Sequence, residues 1–520
     1  MSAIITDQLR ILNAKSFVSI ATSSSTALYS FIGLPNATDY DSNWDITPPA
    51  PKDCFDQEND YWDTMIALKK IKVDDVKQVV SKVTWSSGTT YDMYRHDISR
   101  SNPSYPSGAL SLYSANYYVL NQDYKVYICL QNGTTPENPQ GSPSLDEPTF
   151  TDLEPKASGT SGDGYIWKYL YTIKPSDIIK FDSINFIPVP KNWETNSENA
   201  AVRLNAEPPN GQLKIITITN RGIGVGTAGR TYTRVPIKGN GTGAEATIVI
   251  NNDSKVESIT VSNGGSGYTY GTVDLKNGNV PTGTTNPTFN VIIPPQGGHG
   301  ADIYRELGAY NVLVYSRIEN DIQNPDFIIG NQIARVGLVQ NPQAYNSTSL
   351  LSLEKASSLN ALKLTGIGYD SATFTADSTI TQTVSTATTA VGRVVSYDQN
   401  TGVLKYWQNR TSVGFAYTAG VLQNTTPTYG LDLVDFTNVP GTGGSLTING
   451  GSTNLSIDTN FTGISTVINN KTYYLGQTFT GGISNPEVKK YSGNIIYVDN
   501  RPSITRSSNQ KEDIKVILQF

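Results

Sequence analysis

Apolar residues in this chain recur at every second position in short runs bounded by glycine, asparagine and proline, a pattern that confines the backbone to short strands and tight turns. Near the C-terminus, Ile514, Val516, Leu518 and Phe520 alternate with Asp513, Lys515 and Gln519, which puts the apolar set on one face of a strand. Residues 495–498 predict another strand, closed by a turn at Asp499-Asn500-Arg501-Pro502 because proline cannot donate to a ladder. Residues 117–120 and 126–130 predict a hairpin around Asn121-Gln122-Asp123, and 391–397 with 403–407 predict a second one. Helical spacing is rare. Its best instance is 60–68, where Trp62, Met65 and Ile66 follow acidic residues.

Two stretches stand apart. Residues 206–299 are rich in Gly, Thr and Asn and contain an echo: Ile216-Thr217-Ile218-Thr219-Asn220-Arg221-Gly222-Ile223-Gly224 aligns with Ile259-Thr260-Val261-Ser262-Asn263-Gly264-Gly265-Ser266-Gly267. Each copy is an alternating strand running into a glycine turn, with Tyr232 and Tyr268 following, and proline pairs flank the stretch at Pro208-Pro209 and Pro294-Pro295. Residues 347–486 are rich in Thr and Ser. Their hairpin pattern favours a small β module over a disordered linker.

Composition excludes several chemistries. Two cysteines, Cys54 and Cys129, cannot build a disulfide framework or a cysteine-rich zinc site, though a single disulfide between them stays open. With only His96 and His299, any histidine-based triad must use one of them. A net charge of -6 argues against a broad basic footprint for nucleic acid. No apolar run is long enough to span a bilayer, and Asp7, Arg10 and Lys15 interrupt any apolar signal core in residues 1–18.

Motif matches fail on context. Gly224-Val225-Gly226-Thr227-Ala228-Gly229 fits the dinucleotide fingerprint, but the β-branched, proline-ended run after it predicts a turn rather than the required helix. Asp53, Asp56, Glu58, Asp60 and Asp63 cluster, yet a calcium loop counted from Asp56 finds Tyr61 and Ala67 where Gly and Glu are needed. Acidic residues before a helix are the simpler account. The grouped Tyr113, Tyr117, Tyr118 and Tyr124 suit either strand faces or a contact surface.

Specific segments say more. Gly162-Asp163-Gly164-Tyr165-Ile166-Trp167-Lys168-Tyr169-Leu170 resembles a strand of the baseplate wedge subunits of T-even-like contractile-tailed bacteriophages, the gene-eight product family. The resemblance continues at residues 186–190 and 333–342 and closes at 492–502 with Asn500-Arg501-Pro502; weaker echoes are Trp44, Pro48-Pro49 and 60–65. It implies a mainly β fold with a layered β-sandwich core and a few short helices in loops. It divides the chain into a core of 1–205, 300–346 and 487–520 carrying two inserted all-β modules, 206–299 and 347–486. It implies a non-catalytic virion component of the tail baseplate, assembled in the host cytoplasm, with two copies per wedge and contacts to other wedge subunits. No cofactor, metal, nucleic acid, membrane or small-molecule substrate is expected. Gly162, Asp163, Gly164, Tyr165, Trp167, Asn500, Arg501 and Pro502 are expected to serve folding and packing. The rival readings are a receptor- or carbohydrate-binding tail protein and, behind it, a tail-associated glycan hydrolase.

Overall fold

The computed structural model describes residues 4–36, 43–206, 212–319, 330–408, 417–418, 421–422, 434–507 and 510–520. The chain forms two compact units, Met1–Ser19 with Val76–Val314 and Val516–Phe520, and Ile20–Asp75 with Tyr315–Lys515. The fold is mainly β, with sheets curled into half-barrels and one closed barrel.

In the first unit, Tyr118–Leu120, Lys125–Asn132 and Tyr165–Thr172 make an antiparallel sheet. The first predicted hairpin is part of it, with Tyr118 opposite Ile128 and Leu120 opposite Val126. The core beside it holds Tyr91, Tyr117, Tyr127, Trp167, Tyr171 and Trp193. A buried phenol must find a hydrogen-bond partner. Tyr118 donates to the Ser81 carbonyl (2.7 Å), Tyr127 to that of Phe150 (2.5 Å) and Tyr171 to that of Pro188 (3.0 Å). Tyr117 and Tyr118 therefore pack inside rather than at a contact surface.

The glycine-rich stretch builds its own sheet, in the order Val256–Ser266, Thr242–Ile250, Thr231–Gly239, Gly271–Val273, and a pair, Ile216–Asn220 with Thr288–Val291. Ala244, Ala246, Ile248 and Ile250 alternate into a core that includes Val225, Tyr232 and Tyr268. The sequence echo is a structural one. Asn220 Oδ1 accepts from Gly222 N (2.8 Å) and Asn263 Oδ1 from Gly265 N (3.1 Å), so both copies turn on an asparagine side chain followed by a left-handed glycine. A Cβ at Gly222 would lie 2.6 Å from Val225 Cγ2, and one at Gly265 2.5 Å from Ala244 N. Pro208-Pro209 lies outside the described residues.

In the second unit an antiparallel sheet runs Lys355–Ser357, Met65–Lys70, Leu28–Gly33, Gln332–Gln340, Asn494–Thr505. A seven-stranded sheet follows, in which Asn360–Thr365 pairs with Val403–Trp407 and closes the ring, leaving Ile483–Ser484 outside it. The second predicted hairpin is Thr388–Asp398 with Val403–Trp407. Leu362, Leu364, Ile380, Val394, Leu404 and Ile448 fill the barrel, and Ala361 and Val403 pack on its other side.

Three expectations need correction. The helix is Phe55–Asp63, not 60–68, and Met65–Lys70 is a strand. Thr64 caps the helix, and Met65, Ile66, Ala67 and Leu68 are buried on both faces, which mimics helical spacing. No turn closes at Asp499–Pro502. The strand runs on through Asn494–Thr505, and Pro502 sits in a bulge where Arg335 opposes Asn500 but Ile333 opposes Ile504. The helix Asp7–Ala21 was not anticipated: Thr6 Oγ1 accepts from Leu9 N (3.3 Å), but the apolar residues spread around its axis.

Burial pushes the Tyr113, Tyr304 and Tyr397 phenols up from 10.0 to about 12. The unfolded chain releases these protons first, so the stability they contribute is whole below pH 10.0 and is lost as pH rises toward about 12. Urea midpoints should therefore fall above pH 10.0, with tyrosinate absorbance rising together with unfolding. Tyrosinate appearing in the folded protein before any loss of stability contradicts this.

Candidate functional site

Gly162, Asp163, Gly164, Tyr165 and Trp167, in the first unit, lead into and start the strand Tyr165–Thr172. Gly162 and Gly164 have left-handed backbones, and a Cβ on Gly164 would lie 2.7 Å from Gly133 Cα. Between them Asp163 accepts from Tyr165 N (3.0 Å) and Leu145 N (2.9 Å). The Tyr165 hydroxyl donates to the Ser142 carbonyl (2.8 Å) and accepts from Tyr91 N (2.9 Å). Its ring stacks on Trp167 at 5.3 Å, and Tyr91 meets Trp167 edge-on at 5.9 Å. Trp167 is fully buried, and its Nε1 has no hydrogen-bond partner among the described residues. The motif thus anchors two loops to one sheet.

Asn500, Arg501 and Pro502 belong to the second unit, where Asn500 bonds the buried Arg335 while the Arg501 and Pro502 side chains are exposed. Arg335 is 1% exposed, on the strand Gln332–Gln340, opposite Gly33 on one side and Asn500 on the other. Its Nε donates to Asn500 Oδ1 (2.9 Å), Nη2 to Asn36 Oδ1 (3.1 Å), and Nη1 to Thr64 Oγ1 and to the Asp60 carbonyl (3.4 Å). The guanidinium lies 4.8 Å from the Tyr61 ring centroid and 5.3 Å from that of Trp44. Asn500 Nδ2 donates to the Pro49 carbonyl (2.9 Å), Trp44 Nε1 to the Arg501 carbonyl (2.8 Å), and Ser503 N to Asp45 Oδ1 (3.1 Å). Burial lowers the Arg335 pKa from 12.5 to about 10, which still leaves it charged at neutral pH. Neutral oxygens and two ring faces hold a cation here.

The remaining candidates are built into the fold. A strand, Thr231–Gly239, follows Gly224–Gly229, so that loop has no helix terminus to offer a pyrophosphate. Glu58, Asp60 and Asp63 lie on the helix Phe55–Asp63, Asp63 accepting the Tyr491 hydroxyl; the side chain of Asp56 lies outside the described ones. Among the described residues no group of three His, Cys, Asp or Glu could hold a metal. His96 Nδ1 accepts from Ile293 N (3.2 Å), and burial lowers its pKa. His299 Nδ1 meets Glu306 Oε1 at 2.6 Å while Glu306 Oε2 accepts from Gly300 N (2.6 Å), a clasp between loop and helix. Cys54 is an exposed free thiol and Cys129 a buried one. No described helix is long and apolar enough to cross a membrane.

The sequence reading assigned no role to Arg335. Its signal was a charge inside the apolar run Ile333-Ala334-Arg335-Val336, since charged residues are rarely fully buried without partners. No family model and no curated protein matches this chain.

Trp167→Ala should destabilise the protein by about 3–5 kcal/mol, and Trp167→Phe by clearly less, because Phe keeps a ring and removes an unbonded N–H. Equal losses for the two, read from urea unfolding, contradict that account. Arg335→Ala should cost about 3–5 kcal/mol, and Arg335→Lys should not restore stability, because an ammonium cannot reproduce the planar fork. Full rescue by Lys shows that charge alone suffices.

Proposed function

We propose that this chain is a structural, non-catalytic subunit of a contractile phage tail, a baseplate wedge component that pairs with a second copy and bridges neighbouring wedge subunits. The observation that carries the reading is convergence. The separate segments of the second unit that resemble the wedge family, around Trp44, Pro49, 60–65, Arg335 and Asn500–Pro502, meet at one buried guanidinium. Segments retained to build one interior suit a protein whose product is a shape. The groups best suited to chemistry, Asp163, His299, Glu306 and Arg335, are engaged in tying segments of the fold together.

The composition fits. Charged residues make up 16% of the chain, against about 25% in ordinary soluble domains, which lowers the desolvation cost of wide contacts. Ile464, Val467 and Tyr474 are exposed on the hairpin Gly463–Ile468 with Lys471–Phe479 and offer apolar contact area.

Purified tails, examined by mass spectrometry and antibody-labelled electron microscopy, should contain the chain at the baseplate. Its absence from tails, or normal tail assembly when its gene is deleted, overturns the proposal.

A further inference from the structure

A groove of about 370 Å³ in the first unit is walled by residues 102–106 and 132–139 and by the strands Ile216–Asn220 and Thr288–Val291. On its floor is Asn132, 2% exposed. Its Nδ2 donates to the Tyr91 carbonyl (2.9 Å), which fixes the amide orientation and leaves Oδ1 as a buried acceptor with no partner among the described residues. An unmet acceptor is an uncommon thing to keep in an interior. Tyr105, 56% exposed, adds an aromatic ring to the lining. From the opposite wall Thr217 and Asn290, partners across two strands, add a hydroxyl and an amide.

The one lining side chain with a full charge at neutral pH, Arg95, is neutralised by Asp97 at 2.9 Å. The groove therefore has no free cation for a phosphate and no carboxylate cluster for a metal, and its polar lining does not suit a lipid tail. Hydroxyls, amides and one aromatic ring match a neutral sugar, whose hydroxyls both donate and accept and whose C–H face packs on a ring. Next to the groove, Arg221 pairs with Glu137 (2.8 Å) and Ile293 N donates to His96 (3.2 Å).

The geometry points to a binding site for a neutral oligosaccharide in this groove, an activity additional to the structural role and independent of it. The experiment screens the full chain against immobilised neutral oligosaccharides of glucose, galactose, mannose, rhamnose and N-acetylglucosamine, then titrates the best binder by calorimetry. At least one sugar should bind with a Kd of about 1 mM or tighter. Tyr105→Ala should weaken it about tenfold, and Asn290→Arg should abolish it. Tyr270→Ala, at an exposed ring outside the groove, should leave it unchanged. Thermal melts establish that each variant is folded. No binding tighter than about 10 mM, binding only to anionic sugars, or affinity unaffected by both groove variants overturns the inference. Sugar binding by a chain absent from tails would overturn the structural role alone.

Discussion

Placing a guanidinium out of water costs several kcal/mol unless each of its donors is met. Around Arg335 four of the five N–H donors meet oxygens from residues far apart in sequence, Asn36, Asp60, Thr64 and Asn500, and Trp44 and Tyr61 supply ring faces. No single segment could do this. Asn500 has a double part, accepting from Arg335 and donating to the Pro49 carbonyl, so the bulged strand and the loop before the helix Phe55–Asp63 are fixed by one amide. The bulge that accommodates Pro502 also leaves the Arg501 carbonyl and Ser503 N to bond Trp44 and Asp45.

The first unit meets the same difficulty with hydroxyls. Thirty tyrosines against fourteen phenylalanines look excessive until the bonds are traced. A buried ring fills volume, and its hydroxyl can tie a carbonyl of another segment to the core, as those of Tyr118, Tyr127 and Tyr171 do.

Legibility followed locality. Both hairpins could be read from sequence because alternation and a turn are properties of a dozen neighbouring residues, and the echo of 216–224 in 259–267 is the same asparagine-glycine corner built twice. Misreadings arose where burial on both faces erased the period of two, at Met65–Leu68, or where a bulge made room for a proline. The groove beside Asn132 was invisible: Asn132 and Thr217 are distant in sequence, and the missing partner of Asn132 Oδ1 is a fact of three dimensions. Sequence alone did not reveal that Asp163 in the motif 162–167 bonds Leu145.

Arg335 and Asn500 also stand 165 residues apart along the chain. A ribosome adding about 5–20 residues per second therefore makes the guanidinium roughly ten to thirty seconds before its amide. Over that interval the second unit cannot close, and the strand carrying Arg335 waits with one edge open. A message cut short before Asn500 would yield a polypeptide with a cation it can neither hydrate in the native arrangement nor neutralise.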